Sequence, residues 1–232
     1  MADYDHQGHR ERLRNRFIKE GGFENFEEHN VLELLLFYTI PRKDTNELAH
    51  RILDHFGSLA AVLDAPYEEL IKVKGVSPKT ACLFKAILPA ARAYNKSKYV
   101  TPPRMNDFSD ISDYLLGKYI GVTEEMFSIV SLDNRHTVLS LDVIAKGSVD
   151  SVSVDSRKVV NMLINKKATN AILVHNHPNG YAVPSGVDLE QTREIVDTLH
   201  RIGVTVLDHI IIAENQCVSL RKMSGFRKLF ER

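Results

Sequence analysis

The sequence predicts an all-helical N-terminal domain followed by an α/β domain, and three observations carry that prediction. Up to about residue 94, apolar residues recur three and four positions apart in ELAHRILDHFGSLAAVL, PYEELIKV and TACLFKAILPAARAY, with Gly57 and Gly75 as breaks. From Met126 onward the period changes: MFSIVSL, HTVLSLDVIA, NAILVH, VTVLDHIIIA and QCVSL are short runs rich in Val and Ile and read as strands. Between the two regimes lies NKSKYVTPPRMND, polar and broken by Pro102 and Pro103, which has the composition of a linker. The expected layout is a helical domain over residues 1–97, a linker over 98–105 and an α/β domain over 106–232.

The strand-like runs alternate with SRKVVNMLINKKA and GVDLEQTREIVDTLHRIG, which read as amphipathic helices. In the second of these, Ile195, Leu199 and Ile202 share one face, with Glu190, Arg193, Glu194 and Asp197 opposite. The run RERLRNR near the N-terminus spreads its arginines around a helix, so it reads as a solvated face rather than a binding stripe.

Composition narrows the class. With 44% apolar and 26% charged residues, the chain has the make-up of an ordinary globular protein, and 232 residues suit two units of common size. The longest apolar run, VLELLLFYTI, is too short to span a bilayer and carries Glu33, so no membrane association is expected. The charged N-terminus lacks the apolar centre of a secretory signal, and Cys82 and Cys217 lie far apart, which fits reduced thiols; a cytoplasmic location is the expectation. Residues 1–104 hold 16 Lys+Arg against 14 Asp+Glu, leaving 14 against 16 for the rest, so neither half is a basic nucleic-acid tail.

Residues 175–188, HNHPNGYAVPSGVD, concentrate the chemistry. NAILVH ends in His175, and His177 follows at the i, i+2 spacing that sends two strand side chains to one face. Pro178, Asn179 and Gly180 then turn the chain, and Ser185 precedes the helix, so Asp188 falls in its first turn, where a carboxylate can point back at the strand end. Two imidazoles and one carboxylate on a single Zn²⁺ leave a fourth tetrahedral place for water, the ligand count of a catalytic site. A zinc ion so held lowers the pKa of its water toward about 7 and polarises a carbonyl. Ser185-x-x-Asp188 is equally the pattern of a capping box; the two roles are compatible, because the Ser185 hydroxyl could cap the helix and still face a developing oxyanion. A base is also required, because the water must lose a proton and the leaving amine must gain one. Glu124 and Glu125, just before MFSIVSL, are the candidates, and alternation alone does not choose between them.

H-x-H, seven residues, then S-x-x-D resembles the motif of the JAMM (JAB/MPN) metalloproteases, and HNHP followed by PSGVD is similar to the RadC-like branch of that family. The likeness extends to LDNRHTVLSLDVIAKGSVDSVSVDSRKVV upstream and LDHIII downstream, covering most of residues 105–232. Through LIKVKGVSPKTA, the helical part resembles the helix-hairpin-helix region that precedes the catalytic domain in those proteins. The resemblance implies a JAB/MPN-like (cytidine-deaminase-like) mixed-sheet metallohydrolase domain binding one Zn²⁺ per chain through His175, His177 and Asp188. It further implies that Ser185 stabilises the tetrahedral intermediate and that a polypeptide is the substrate. Its E-x-F favours Glu125 as general base, with Glu124 in reserve. Tyr181 departs from the family's pattern, standing where a small polar or acidic residue is usual, which alters the rim of the site and no ligand.

Two other readings compete with a zinc metalloprotease. One is a DNA-associated binding protein with a non-catalytic metal site; Gly75 flanked by Lys72, Lys74 and Lys79 could hold a DNA phosphate weakly and non-specifically. Against it, the turn reads GVS where phosphate-binding hairpins have a second glycine. The other is a metal-dependent phosphodiesterase, since a zinc hydroxide does not by itself choose carbon over phosphorus. A contiguous H-N-H tripeptide is not the dispersed triad of HNH nucleases. Asp208-His209, within an apolar strand, reads as a core pair, and Cys217 as structural.

Overall fold

The computed structural model describes residues 3–98, 102–147, 154–178, 180–214 and 216–231. Residues 99–101 of the expected linker, and Asn179 of the proline turn, lie outside the described residues. Packing divides the chain into two units, one up to Ala91 and the other from Arg92. The division falls inside a single helix, α6 (Pro78–Lys98), close to its internal Pro89.

The first unit contains α1 (Asp3–Glu20), α2 (Glu28–Thr39), α3 (Asn46–Phe56), α4 (Leu59–Asp64), α5 (Tyr67–Leu70) and the start of α6. Its core gathers Leu32, Leu36, Ala49, Ile52, Val62, Leu70 and Phe84. Glu33 is buried with them, and its carboxylate is met by His9 Nε2 at 2.8 Å and by the Asn46 amide at 3.4 Å, as a buried charge requires. Gly57, at φ +89°, ends α3, and the Ser58 hydroxyl then caps α4 by accepting from the Ala61 amide.

PYEELIKV is helical only over Tyr67–Leu70. Its last residue, Val73, and Val76 beyond it are three apart because they close successive turns (Val73 N–H to Leu70 O, Val76 N–H to Val73 O) and still reach the core. Gly75 sits in that turn at φ +103°, where a Cβ would lie 2.9 Å from Leu48 Cδ1. Gly75→Ala should therefore destabilise the unit by about 1–3 kcal/mol, from backbone strain plus crowding of Leu48. Chemical denaturation checks this, and a loss below about 0.5 kcal/mol, the range of a neutral surface change, would contradict it.

The second unit holds α7 (Phe108–Tyr119), β1 (Met126–Leu132), β2 (Val138–Lys146), α8 (Ser156–Asn165), β3 (Asn170–Asn176), α9 (Gly186–Arg201), β4 (Thr205–Ala213), β5 (Gln216–Ser219) and a 3₁₀ turn at Arg227–Phe230. The strands form one mixed sheet in the order β2-β1-β3-β4-β5, antiparallel except for the β3–β4 pair. Both faces are covered. Phe127, Ile129, Ala171, Leu173 and Ile211 pack with Val159 and Leu163 of α8 and Ile195 and Leu199 of α9. Val130, Leu132, Ile172, Val174 and Ile210 pack with Tyr114, Leu115 and Tyr119 of α7. Burial on both sides explains why β3 reads as an unbroken apolar run instead of an alternating one. Ile202, expected on the buried face of α9, is 37% exposed, because the helix stops at Arg201 and the chain leaves its axis there.

The parallel β3–β4 pair needs a crossover, and α9 supplies it. The C-terminal end of β3 and the N-terminal turn of α9 are thereby brought to one end of the sheet, where the candidate site lies.

Candidate metal centre

His175 belongs to the α8/α9 face of β3: it pairs with Phe127 across β1 and is 1% exposed. His177 follows one residue beyond the strand, its amide donating to Ile212 O at 2.7 Å, so the β3–β4 ladder fixes the backbone of both histidines. Asp188, 2% exposed, stands at the third position of α9. One nitrogen from each histidine and one oxygen of Asp188 lie within 4.8 Å of one another. The expected three residues do converge.

Tautomer and rotamer can be derived for two of them. His177 Nδ1 lies 2.8 Å from the Tyr181 carbonyl, which can only accept, so Nδ1 carries a proton and Nε2 is the nitrogen a neutral ring would offer to a metal. That Nε2 lies 3.9 Å from Asp188 Oδ2. Asp188 Oδ2 accepts the Ser185 amide at 2.7 Å, while Ser185 Oγ accepts the Asp188 amide at 3.2 Å; the capping box is fully formed. Asp188 Oδ1 remains, 3.1 Å from His175 Nδ1.

That approach does not meet hydrogen-bond geometry, so both ring nitrogens of His175 are buried without a hydrogen-bond partner. Buried polar atoms are rarely left so. Ligands on a tetrahedral ion with bonds of about 2.0–2.1 Å stand roughly 3.3 Å apart. The 3.1 Å between His175 Nδ1 and Asp188 Oδ1 is close to that spacing, and His177 Nε2 comes within 3.9 Å of the same carboxylate at Oδ2. The donor set therefore fits a small divalent ion. Burial acts to raise the Asp188 carboxyl, but the His175 ring and the Ser185 amide outweigh it and hold the group below the ordinary carboxylate range.

Behind these residues stand two groups that sequence patterning does not connect. Thr192 Oγ1 donates to the Asp188 carbonyl one turn earlier and lies 2.7 Å from His209 Nδ1. The hydroxyl has one proton and a carbonyl cannot donate, so His209 Nδ1–H is the donor to Thr192. Burial keeps His209, 1% exposed, a neutral imidazole, and it braces the first turns of α9 against β4. The Asp208-His209 pair is a core feature, as expected, yet His209 also touches the structure around Asp188. A threonine at the i+4 position from Asp188, facing a strand histidine, is the available signal.

Burial pushes the His209 pKa down to about 3, with the His175 ring adding to the depression. Its folded value lies below its unfolded value of about 6.5, so its contribution is fully present above pH 6.5 and is lost as pH falls toward 3. Stability should therefore fall with pH across that window, by on the order of 1 kcal/mol per pH unit from this residue. His209→Gln should show a correspondingly shallower profile in chemical denaturation between about pH 6 and 4; equal slopes would refute the assignment.

The two glutamates separate by register. Continuing the β1–β3 ladder past Phe127↔His175 puts Met126 opposite Asn176 and Glu125 opposite His177. Residues opposite one another share a face, so on that extrapolation position 125 would share the histidine face and position 124 the other, both lying before the first residue of β1. The Glu124 carboxylate reaches Lys146 Nζ at 3.3 Å, both side chains being more than half exposed. Elsewhere, Tyr181 is 87% exposed at the rim, and Cys217 lies on edge strand β5 with burial holding its thiol up. Of the hairpin residues, Lys72 is bonded to Glu69 at 2.6 Å, the Lys74 carbonyl accepts from Arg51, and Lys79 is in the first turn of α6.

A mixed-sheet α/β unit carrying a His-His-Asp group, with His175 and Asp188 buried and His177 half-buried, at a strand end and helix start defines a class of domain able to hold a metal ion. The family model described as RadC-like JAB domain matches residues 105–226, and the chain belongs to the RadC family. Among the described residues, no helix is long and apolar enough to cross a membrane.

Proposed function

We propose that the protein is a zinc-dependent hydrolase of the metalloprotease type, cleaving a peptide or isopeptide bond. The observation that carries the reading is the convergence of His175, His177 and Asp188, with the His175 nitrogens buried and unpartnered and the outer atoms of the other two residues already fixed. His175 Nδ1, His177 Nε2 and Asp188 Oδ1 would hold one zinc ion per chain. Bound there, zinc would supply a water of lowered pKa and polarise the carbonyl under attack.

The chain's own residues do the rest. Glu125, at the position opposite His177, takes the proton from the attacking water and returns it to the leaving nitrogen. Ser185 Oγ accepts the Asp188 amide as a cap, which leaves its own hydroxyl proton to donate to the developing oxyanion. Tyr181, exposed on the loop between ligands, forms part of the surface a polypeptide would meet. With two free cysteines, the protein suits a reducing compartment such as the cytoplasm.

The test is to load the purified protein with zinc, measure stoichiometry by elemental analysis, and assay pools of internally quenched peptides and isopeptide-linked peptides beside an aryl phosphodiester. Chelator-sensitive, zinc-restored cleavage of a peptide or isopeptide is the expected result. Absence of bound zinc would overturn the reading, and cleavage of the phosphodiester alone would replace it with a phosphodiesterase.

A further inference from the structure

We propose that Asn176, the residue between the two histidines, is a positioning residue for Glu125. The inference rests on the reading of Glu125 as the base. Asn176 is 3% exposed, and its side-chain amide makes two hydrogen bonds to the chain entering β1. Oδ1 accepts the Met126 amide at 2.8 Å, and Nδ2 donates to the Glu124 carbonyl at 3.0 Å. The two bonded groups flank Glu125 in the chain, one on each side. A single side chain therefore clamps the backbone that carries the base.

The need for such a clamp follows from topology. The β1–β3 ladder has its last backbone pair at Phe127↔His175, and the His177 amide turns to Ile212 O on the far side of β3. Beyond that pair the ladder between β3 and β1 ends, and Pro178, which has no N–H to offer, follows. The Asn176 amide substitutes one donor and one acceptor for the missing peptide group and carries the pairing further. From the other side, the Glu125 carbonyl is held by the Gly147 amide at 2.9 Å. Asparagine alone combines both hydrogen-bonding roles with that short reach: aspartate cannot donate, and serine offers a single atom. Because His175, Asn176 and His177 are consecutive, the same strand end fixes both metal-binding rings and the base's backbone, so their mutual spacing depends on one rigid tripeptide.

The experiment uses full-length protein and zinc as the probe. Difference infrared spectra between zinc-loaded and metal-free protein should contain a carboxylate band that Glu125→Gln removes. In Asn176→Ala that band should move toward the position of a solvated carboxylate, with one zinc per chain retained. On the quenched-peptide pool, kcat should fall about 10- to 100-fold with little change in KM, the effect of misplacing a reacting group by about an ångström. Asn176→Ala combined with Glu125→Gln should be no slower than Glu125→Gln alone. Asn176→Asp, isosteric and keeping the acceptor for Met126, should fall between wild type and Asn176→Ala, and it serves if the alanine variant does not fold.

An unshifted Glu125 band with unchanged kcat in both variants overturns the proposal, as does failure of both to fold, which would assign Asn176 to the fold alone. If Glu125→Gln leaves the difference spectrum untouched, the base assignment itself fails and takes this inference with it. The two failures are thus told apart by which variant leaves the band in place.

Discussion

Asp188→Asn should strip the protein of zinc while leaving α9 nearly as stable as before. The carboxylate has two separable duties: Oδ2 closes the capping box with the Ser185 amide, and Oδ1 faces His175 Nδ1. An asparagine oxygen can still accept the Ser185 amide, so the cap survives, less the charge assistance and the favourable interaction of a carboxylate with the helix N-terminus. That loss is about 0.5–1 kcal/mol. The metal-binding duty does not survive. A neutral amide would replace one of the three proposed ligands, and affinity should drop by more than about 100-fold, since even removing a group that merely orients a ligand costs about 10- to 100-fold. Ser185→Ala provides the reverse experiment, costing about 1 kcal/mol of stability with zinc retained. Zinc stoichiometry and denaturation midpoints, measured on both variants, decide the matter. Full zinc retention by the Asp188→Asn variant would remove Asp188 from the ligand set.

The second large effect is expected at the entry to β1. Glu125→Gln should lower kcat by about 10²- to 10⁴-fold with zinc still bound, the usual range for loss of a general base. Glu124→Gln should change it by less than about twofold, since its carboxylate lies off the histidine face. Two adjacent glutamates at the entry to β1 make this a controlled comparison, because they carry the same carboxylate one position apart. Glu124 pairs with Lys146 between two exposed side chains, a contact worth little, so its loss should be silent in stability as well. Steady-state kinetics of both variants on the same cleavable peptide would settle the roles. If Glu124→Gln is the damaging change, the facing of the two residues does not continue past Phe127 as the register implies.

The candidate site is more legible in the sequence than the fold around it, for a physical reason. A strand's period of two and a helix's first turn are local geometries, so His175, His177 and Asp188 can be placed relative to their own elements from spacing alone. Their meeting requires only that the end of β3 and the start of α9 be neighbours, which a short loop nearly guarantees. The choice between Glu124 and Glu125 depends on cross-strand register, a tertiary fact that alternation cannot supply. The same holds for the Thr192–His209 contact and for the Tyr181 carbonyl on His177, where partners come from separate elements or from a loop backbone with no sequence signature.

Among the elements, α7 is hard to read because it sits directly after a proline-broken stretch. Its Asp107 cap, accepting from the Ser109 and Asp110 amides, followed by Ile111, Tyr114 and Leu115, is the signal available. PYEELIKV misleads in the opposite direction, since its i, i+3 spacing arises from consecutive turns rather than a helix. Strand order is not readable at all, since it follows from which apolar faces are covered by α7, α8 and α9.

The capping box has one more implication, for which ions the protein would accept. With Oδ2 of Asp188 engaged by an amide, Oδ1 is the oxygen the carboxylate would most readily offer a newcomer. Calcium gathers about six to eight oxygens at longer range and so would be poorly served by one oxygen and two imidazoles. On the proposed metal site, a helix start so built would favour compact, nitrogen-tolerant cations before any catalytic group comes into play.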